Sequence, residues 1–336
     1  MRKVEAVFSR HSWIEFVPPT FFGAVMGITG LAIAWRRAEE ILGWPAIFGD
    51  LIFLIGAAVL VLMLPAYAAK CILFPAAVKS DIAHPIKSAF VGGLPLAICL
   101  QLPFISPYYP TAAQGIWLVT AISGLALYMY IFSRWFLLEN KIESINAVWF
   151  IPGCGSFIIS MTGAPLGFVE MGWFYFSIAV TLWAFLSGAL MYRYIFCPRL
   201  PDSLVPTYFV NIVPPGLASM IYPLLSGGDL MDSFTGGEVA AFTRVTFFFA
   251  LFWLILCLAM IRMFLRLKFD LGWWAYSFPL DTITTATLMY GAATKNAILL
   301  DMGGVLLIAS TLVIGVILLR TLYEITRGQV FAPESA

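Results

Sequence analysis

Four residues of the apolar stretch 272–294 fall on one helical face: Phe278, Asp281, Thr282 and Thr285, at i, i+3, i+4 and i+7. Asp281 is the only acid in that stretch, and an acid at membrane depth marks a functional site by default. Burial disfavours the charged form of a carboxyl group, so the expectation is a protonated Asp281. The alternative is that Asp281 turns aside and accepts hydrogen bonds from Asn211, Thr284 or a tryptophan indole. Asn211, Gln101 and Asn146 are weaker candidates for polar groups facing a lumen, with helix-to-helix ties as their plainer role.

Other chemistry is poorly supplied. His11 and His84 fall outside the apolar stretches, without Cys, Asp or Glu at metal-ligand spacing. Cys71, Cys99, Cys154, Cys197 and Cys257 are scattered singly, suggesting neither a disulfide framework nor a zinc site. There is no G-x-x-x-x-G-K-[ST] phosphate loop, and no span pairs a nucleophile with a histidine base. The expectation is a protein that is not an enzyme and needs no cofactor or metal.

The elements that must hold these residues follow from composition. Of 336 residues, 61% are hydrophobic and 11% charged. A soluble domain carries about 25% charge, so this chain cannot cover a soluble surface. A net charge of +1 gives no sign of a nucleic-acid partner. Apolar runs at roughly 16–36, 46–70, 87–105, 112–136, 145–163, 169–195, 206–226, 239–265, 272–294 and 299–323 predict an all-α polytopic membrane protein of ten spans. Residues 1–15 form a predicted N-terminal tail without signal-peptide features, 16–323 the transmembrane domain, and 324–336 a C-terminal tail.

Fifteen of the nineteen Lys and Arg residues, among them Arg2, Lys3, Arg10, Lys70, Lys87, Arg134, Lys141 and Arg320, fall in the two tails and after the even-numbered spans. That bias places both termini in the cytoplasm. Arg36, Arg37, Arg244 and Lys295 fall on the opposite side. Odd spans recur every 58–71 residues, a repeated helical hairpin. They also hold the prolines: Pro18, Pro19, Pro95, Pro103, Pro152, Pro214, Pro215 and Pro279, against only Pro65 in the even spans. A proline within a helix frees the carbonyl four residues earlier, and freed backbone must be buried in protein or line a wet cavity. Five kinked odd helices, bent at Pro95, Pro152, Pro214, Pro215 and Pro279, are thus predicted to form an inner ring, with five straight even ones facing lipid. The absence of cations from odd spans at hydrocarbon depth suits a pore of weak field. The cytoplasmic cations either concentrate anions at that mouth or act only as topology determinants.

The stretch Gly272-Trp273-Trp274-Ala275-Tyr276-Ser277-Phe278-Pro279-Leu280 resembles the ninth-helix motif of the slow-type anion channels of plant guard cells and of their bacterial relatives, the tellurite-resistance/C4-dicarboxylate transporter family. Pro19–Ala24, Trp149–Gly155, Pro206–Phe209 and Pro214-Pro215 resemble its first-, fifth- and seventh-helix segments. The resemblance implies five hairpins about a quasi-five-fold axis, odd helices lining a central pore, a plug matching Phe278, and homotrimers. Phe22, Phe157 and Phe209 join Asp281, Thr282, Thr285 and Asn211 as pore-lining candidates. Asp281 departs from the largely uncharged pore that the resemblance implies: ionised, it would repel anions, so it is expected either to make conduction pH-dependent or to couple proton entry to carboxylate movement. The expected function is an anion channel or channel-like transporter for small monovalent anions such as chloride and nitrate, in a bacterial inner membrane, with lipid around it. The alternatives are a proton-coupled C4-dicarboxylate (malate) transporter and a tellurite-resistance or efflux protein.

Overall fold

The computed structural model describes residues 12–227, 239–328 and 330–331. The predicted N-terminal tail with Arg2, Lys3, Arg10 and His11 lies outside the described residues, as does most of the C-terminal tail. Every regular element among the described residues is helical. In chain order they are α1 (Ser12–Glu15), α2 (Thr20–Leu42), α3 (Ala46–Leu73), α4 (Pro75–Ala83), α5 (Lys87–Val91), α6 (Gly93–Cys99), α7 (Leu102–Ile105) and α8 (Pro110–Leu137). A 3-10 turn, Ala147–Trp149, then leads into α9 (Phe150–Cys154), α10 (Ser156–Gly163) and α11 (Val169–Phe196). A long 3-10 segment, Asp202–Ile212, precedes α12 (Val213–Leu225), followed by α13 (Ala241–Ala259) and α14 (Ile261–Phe264). Another, Leu271–Tyr276, precedes α15 (Ser277–Ala293), and α16 (Ala297–Thr326) ends the series.

Seven of these helical stretches are long and apolar enough to cross a membrane, or eight if the pair bent by 42° at Gly155 is one span. The protein is therefore a multi-pass membrane protein. Two of the ten predicted spans fall short for visible reasons. Helix α2 has 23 residues but carries Arg36, Arg37, Glu39 and Glu40 near its end, and α15 has only 17 residues, rich in threonine.

Burial separates the stretches into two kinds. The spans of α3, α8, α11, α13 and α16 bury only 22–39% of their apolar windows, whereas 87–105 and 202–225 bury 78% and 83%. The exposed helices are unbroken for 19–30 residues. Several start and stop on simple devices: prolines at the first position of α4 and α8, and Asn296 accepting from Ile298 and Leu299 N–H to cap α16. Lys70, Arg134 and Arg193 occupy last turns, against the negative end of the helix dipole.

The buried stretches are built differently from the expected mid-helix kinks. Pro95, Pro152, Pro214, Pro215 and Pro279 all fall in the first turn of a helix: α6, α9, α12 and α15. There a missing N–H removes no intrahelical bond, so each proline starts a helix after a break or a 3-10 turn. Carbonyls of the buried segments, one at the Gly92 break and one within α10, accept from side chains on α8. Tyr128 of α8 donates to Gly92 O at 3.2 Å, and Trp117 of α8 donates its indole N–H to Ile159 O at 2.9 Å.

At the end of α3, the Lys70 ammonium lies 2.6 Å from Asp81 of α4 and donates to Val17 O at 2.9 Å, with both side chains under 10% exposed. This pair ties three segments at the cation-rich end. Lys70→Ala strands a buried carboxylate and should cost about 3–5 kcal/mol, read as a lower melting temperature in detergent. The double change Lys70→Met with Asp81→Leu should recover most of that loss. No recovery would mean that the Val17 contact, and not the ion pair, holds the corner.

A candidate pore and its gate

The five proline-bearing segments meet around a narrow cavity. Its lining takes Met26 from α2, Leu96 from α6, Ile158 from α10, Val213 from α12, and Phe278 and Pro279 from α15, together with Phe90, Phe150 and Trp274. The cavity holds only about 50 Å³, room for a few waters at most, and no charged or hydroxyl side chain lines it. An ion could not shed its hydration shell there without replacement. A dry, apolar constriction of this kind closes a path by excluding water.

Helix α15 is seated by glycines on α2. A Cβ on Gly27 would collide with Ser277, and one on Gly30 would lie 2.9 Å from Asp281 Oδ2 and 3.0 Å from the Phe278 ring. Gly30 therefore faces both Phe278 and Asp281. Gly27→Ala has no flexible tip to displace, because Ser277 is fully buried and its hydroxyl donates to Trp274 O at 2.7 Å. Overpacking there should cost about 1–3 kcal/mol, measured as a lower melting temperature, while Gly115→Ala, open on all sides, should leave it unchanged.

The approach to α15 is fixed by Asp270, whose Oδ1 accepts from Gly272 N–H at 2.7 Å and starts the 3-10 turn. Burial pushes the Asp270 carboxyl above its ordinary range, partly offset by that bond. Trp274 then anchors the turn to the outer helix α16, donating to Thr321 Oγ1 at 3.0 Å.

The residues singled out by sequence are distributed as follows. Phe278 and Pro279 line the cavity. Asp281 is 1% exposed, and neither carboxyl oxygen has a hydrogen-bond partner among the described residues. The donors proposed for it are engaged elsewhere: Asn211 with Tyr194 and Tyr208, Thr284 with Leu280 O, and the indoles of Trp35 and Trp274 with Thr311 and Thr321. Thr282 donates to Phe278 O and turns its methyl to Gly216, and Thr285 is buried. Phe22, Phe157 and Phe209 pack edge-on against Tyr67, Phe176 and Phe264, and none of them borders the cavity. Gln101 donates to Thr29, and Asn146 caps the turn before α9. Phe90 and Phe150, which do border the cavity, were not singled out. Their signal in the chain was position, just before Gly92-Gly93 and Pro152-Gly153.

A few charges near the helix ends are paired among the described residues. Arg36 pairs with Asp50 at 3.5 Å and lies over the Phe104 ring, and Arg37 pairs with Glu40. A cavity of about 970 Å³ beside Lys70 and Lys87 is also lined by Glu15, Asp81, Asp270 and Glu324.

Comparison with known proteins finds relatives that match most of this chain. The S-type anion channel SLAH2 of Arabidopsis thaliana is 28% identical over 292 residues, covering 83% of this chain and 54% of that protein. The guard cell S-type anion channel SLAC1 of the same plant is 26% identical, covering 82% and 50%. The chain thus spans about half the length of these plant relatives. The tellurite resistance protein TehA homolog of Haemophilus influenzae is 21% identical over 94% of this chain and 93% of its own. The sequence profile of the SLAC1 family, described as voltage-dependent anion channel, matches residues 17–322, from the bend before α2 to the last turns of α16, and the chain belongs to that family.

Proposed function

We propose that this protein is an anion channel or channel-like transporter that passes small monovalent anions, such as chloride and nitrate, along the cavity at the centre of the buried segments, with Phe278 as its gate. The observation that carries the reading is the lining itself: one apolar constriction walled by all five proline-bearing segments, with the Phe278 ring among its walls. In this reading ten spans form five hairpins in quasi-five-fold order, three such chains assemble as a homotrimer, and both termini lie in the cytoplasm of a bacterium. Selectivity comes from a weak field, since fixed cations in the path would hold an anion too tightly to release it. The anion-channel names of the plant relatives support the substrate class.

A second reading, proton-coupled movement of C4-dicarboxylates, is favoured by one feature: the unpartnered carboxyl of Asp281 one turn from the gate. Flux through purified protein in liposomes separates the two. The channel reading expects chloride and nitrate flux that does not saturate and needs no pH gradient. Saturating malate flux driven by a pH gradient, with no chloride leak, would overturn it in favour of the carrier. No flux of any anion, in wild type or in the Phe278→Ala variant, would sink both.

A further inference from the structure

Beside the end of α8, away from the central cavity, lies a cavity of about 260 Å³ whose largely apolar lining also carries charged and hydroxyl groups. Its wall is formed by Arg134 and Trp135 from the last turn of α8, Glu139, Lys141 and Ser144 from the following loop, and Ser88 from α5. Neither Arg134 nor Lys141 is in an ion pair among the described residues. The recorded neighbour of the Arg134 guanidinium is the Tyr130 ring at 6.0 Å. Ser88 is 3% exposed, and its hydroxyl has no hydrogen-bond partner among the described residues. Trp135 stacks on Trp149 with ring centroids 4.2 Å apart, giving the cavity a rigid aromatic side. The lining therefore offers a planar guanidinium, an ammonium and an uncommitted hydroxyl, set against the single carboxylate of Glu139.

The surroundings say where an anion would come from. Phe136 and Leu137, next to Arg134 and Trp135, are 82% and 81% exposed. They extend the apolar face of a helix whose span is only 39% buried. The cavity therefore opens where lipid-facing side chains give way to a polar loop, at the depth of lipid headgroups, where tryptophan is also enriched. A guanidinium fork fits a phosphate with two parallel hydrogen bonds, and an excess of one positive charge matches a phosphodiester with one negative charge.

We propose that this cavity seats the phosphate of an anionic phospholipid, held by Arg134, Lys141 and Ser88, with the acyl chains lying along Phe136 and Leu137. The proposal stands apart from the transport reading, since none of these residues borders the central cavity.

Native mass spectrometry of the protein released from membranes of mixed phosphatidylglycerol and phosphatidylcholine, with identical acyl chains, tests it. Wild type should retain phosphatidylglycerol in preference to phosphatidylcholine. The preference should fall by roughly tenfold or more in Arg134→Gln/Lys141→Gln, at about 1 kcal/mol for each cation near the membrane surface. It should stay unchanged in Arg320→Gln, whose charge is predicted on the same side of the membrane but lies outside the cavity. If the double variant fails to fold, Lys141→Gln alone, on an exposed loop, should still show a partial loss. Equal retention of the two lipids by wild type, or an undiminished preference in a folded cavity variant, overturns the proposal. So does displacement of the lipid by millimolar inorganic phosphate, which would make this a site for the free anion.

Discussion

Phe278→Ala should open a leak: chloride and nitrate flux in liposomes rises at least tenfold over wild type, and by about a hundredfold if the ring supplies ~3 kcal/mol of the barrier. The ring lines a cavity of only about 50 Å³ whose other walls are mainly apolar, so no charged or hydroxyl side chain is there to coordinate an ion while the ring is in place. Truncation to alanine widens the constriction, lets water in and removes the dewetting barrier. Phe278→Leu, which keeps an apolar plug, should leak far less. Alanine at a buried aromatic position also costs about 3–5 kcal/mol of stability, so the variant has to be shown folded by its melting curve. A folded Phe278→Ala protein as closed as wild type would place the barrier at Phe90 and Phe150, which border the same cavity.

On that leaky background, flux should rise as pH falls from 8 to 5, and Asp281→Asn should abolish the dependence, holding flux near the low-pH level. The sign follows from charge. An ionised carboxylate near the path repels an anion, and its neutral form does not. At a separation of ~8 Å and an effective dielectric of ~20 the repulsion is about 2 kcal/mol, roughly thirtyfold in rate. The expectation rests on geometry: Asp281 shares the Gly30 contact with Phe278, and its oxygens have no partner among the described residues. Asparagine keeps the shape and removes the titration. A pH dependence that survives Asp281→Asn would remove this residue from the mechanism, and Asp270, half-buried at the start of the 3-10 turn before α15, would be the next group to change.

How far the site was legible depended on the kind of signal each residue carried. The Phe278–Pro279 pair sits in a string specific enough to resemble a known motif, and both residues border the cavity. The shared face of Phe278 and Asp281 followed from helical spacing, and contact of both with the Gly30 site is consistent with it. Phe22, Phe157 and Phe209 were harder, because residue type and span number do not say which way a ring turns. Tyr67, Phe176 and Phe264 on neighbouring elements offer them edge-on contacts. Two of the proline-bearing stretches, 87–105 and 202–225, are the most buried of the candidate spans, but the prolines do not sit at mid-helix kinks. A chain scan treats a proline within an apolar run as a kink, whereas 3-10 turns and breaks just upstream make each one part of a first turn.

The sequence by itself determined that this chain lives in a membrane, that its apolar runs are helical, and that prolines gather in alternate ones. Those properties follow from quantities local to the chain: the charge deficit, the length of apolar runs, and the sorting of prolines into alternate segments. Only the tertiary structure decided which side chains meet around the apolar cavity of about 50 Å³, and that Asp281 is buried with no partner among the described residues. Those facts depend on rotations about helix axes and on the fit of Gly27 and Gly30 against α15. A turn of a few tens of degrees exchanges lumen for helix contact without changing any property that can be read along the chain.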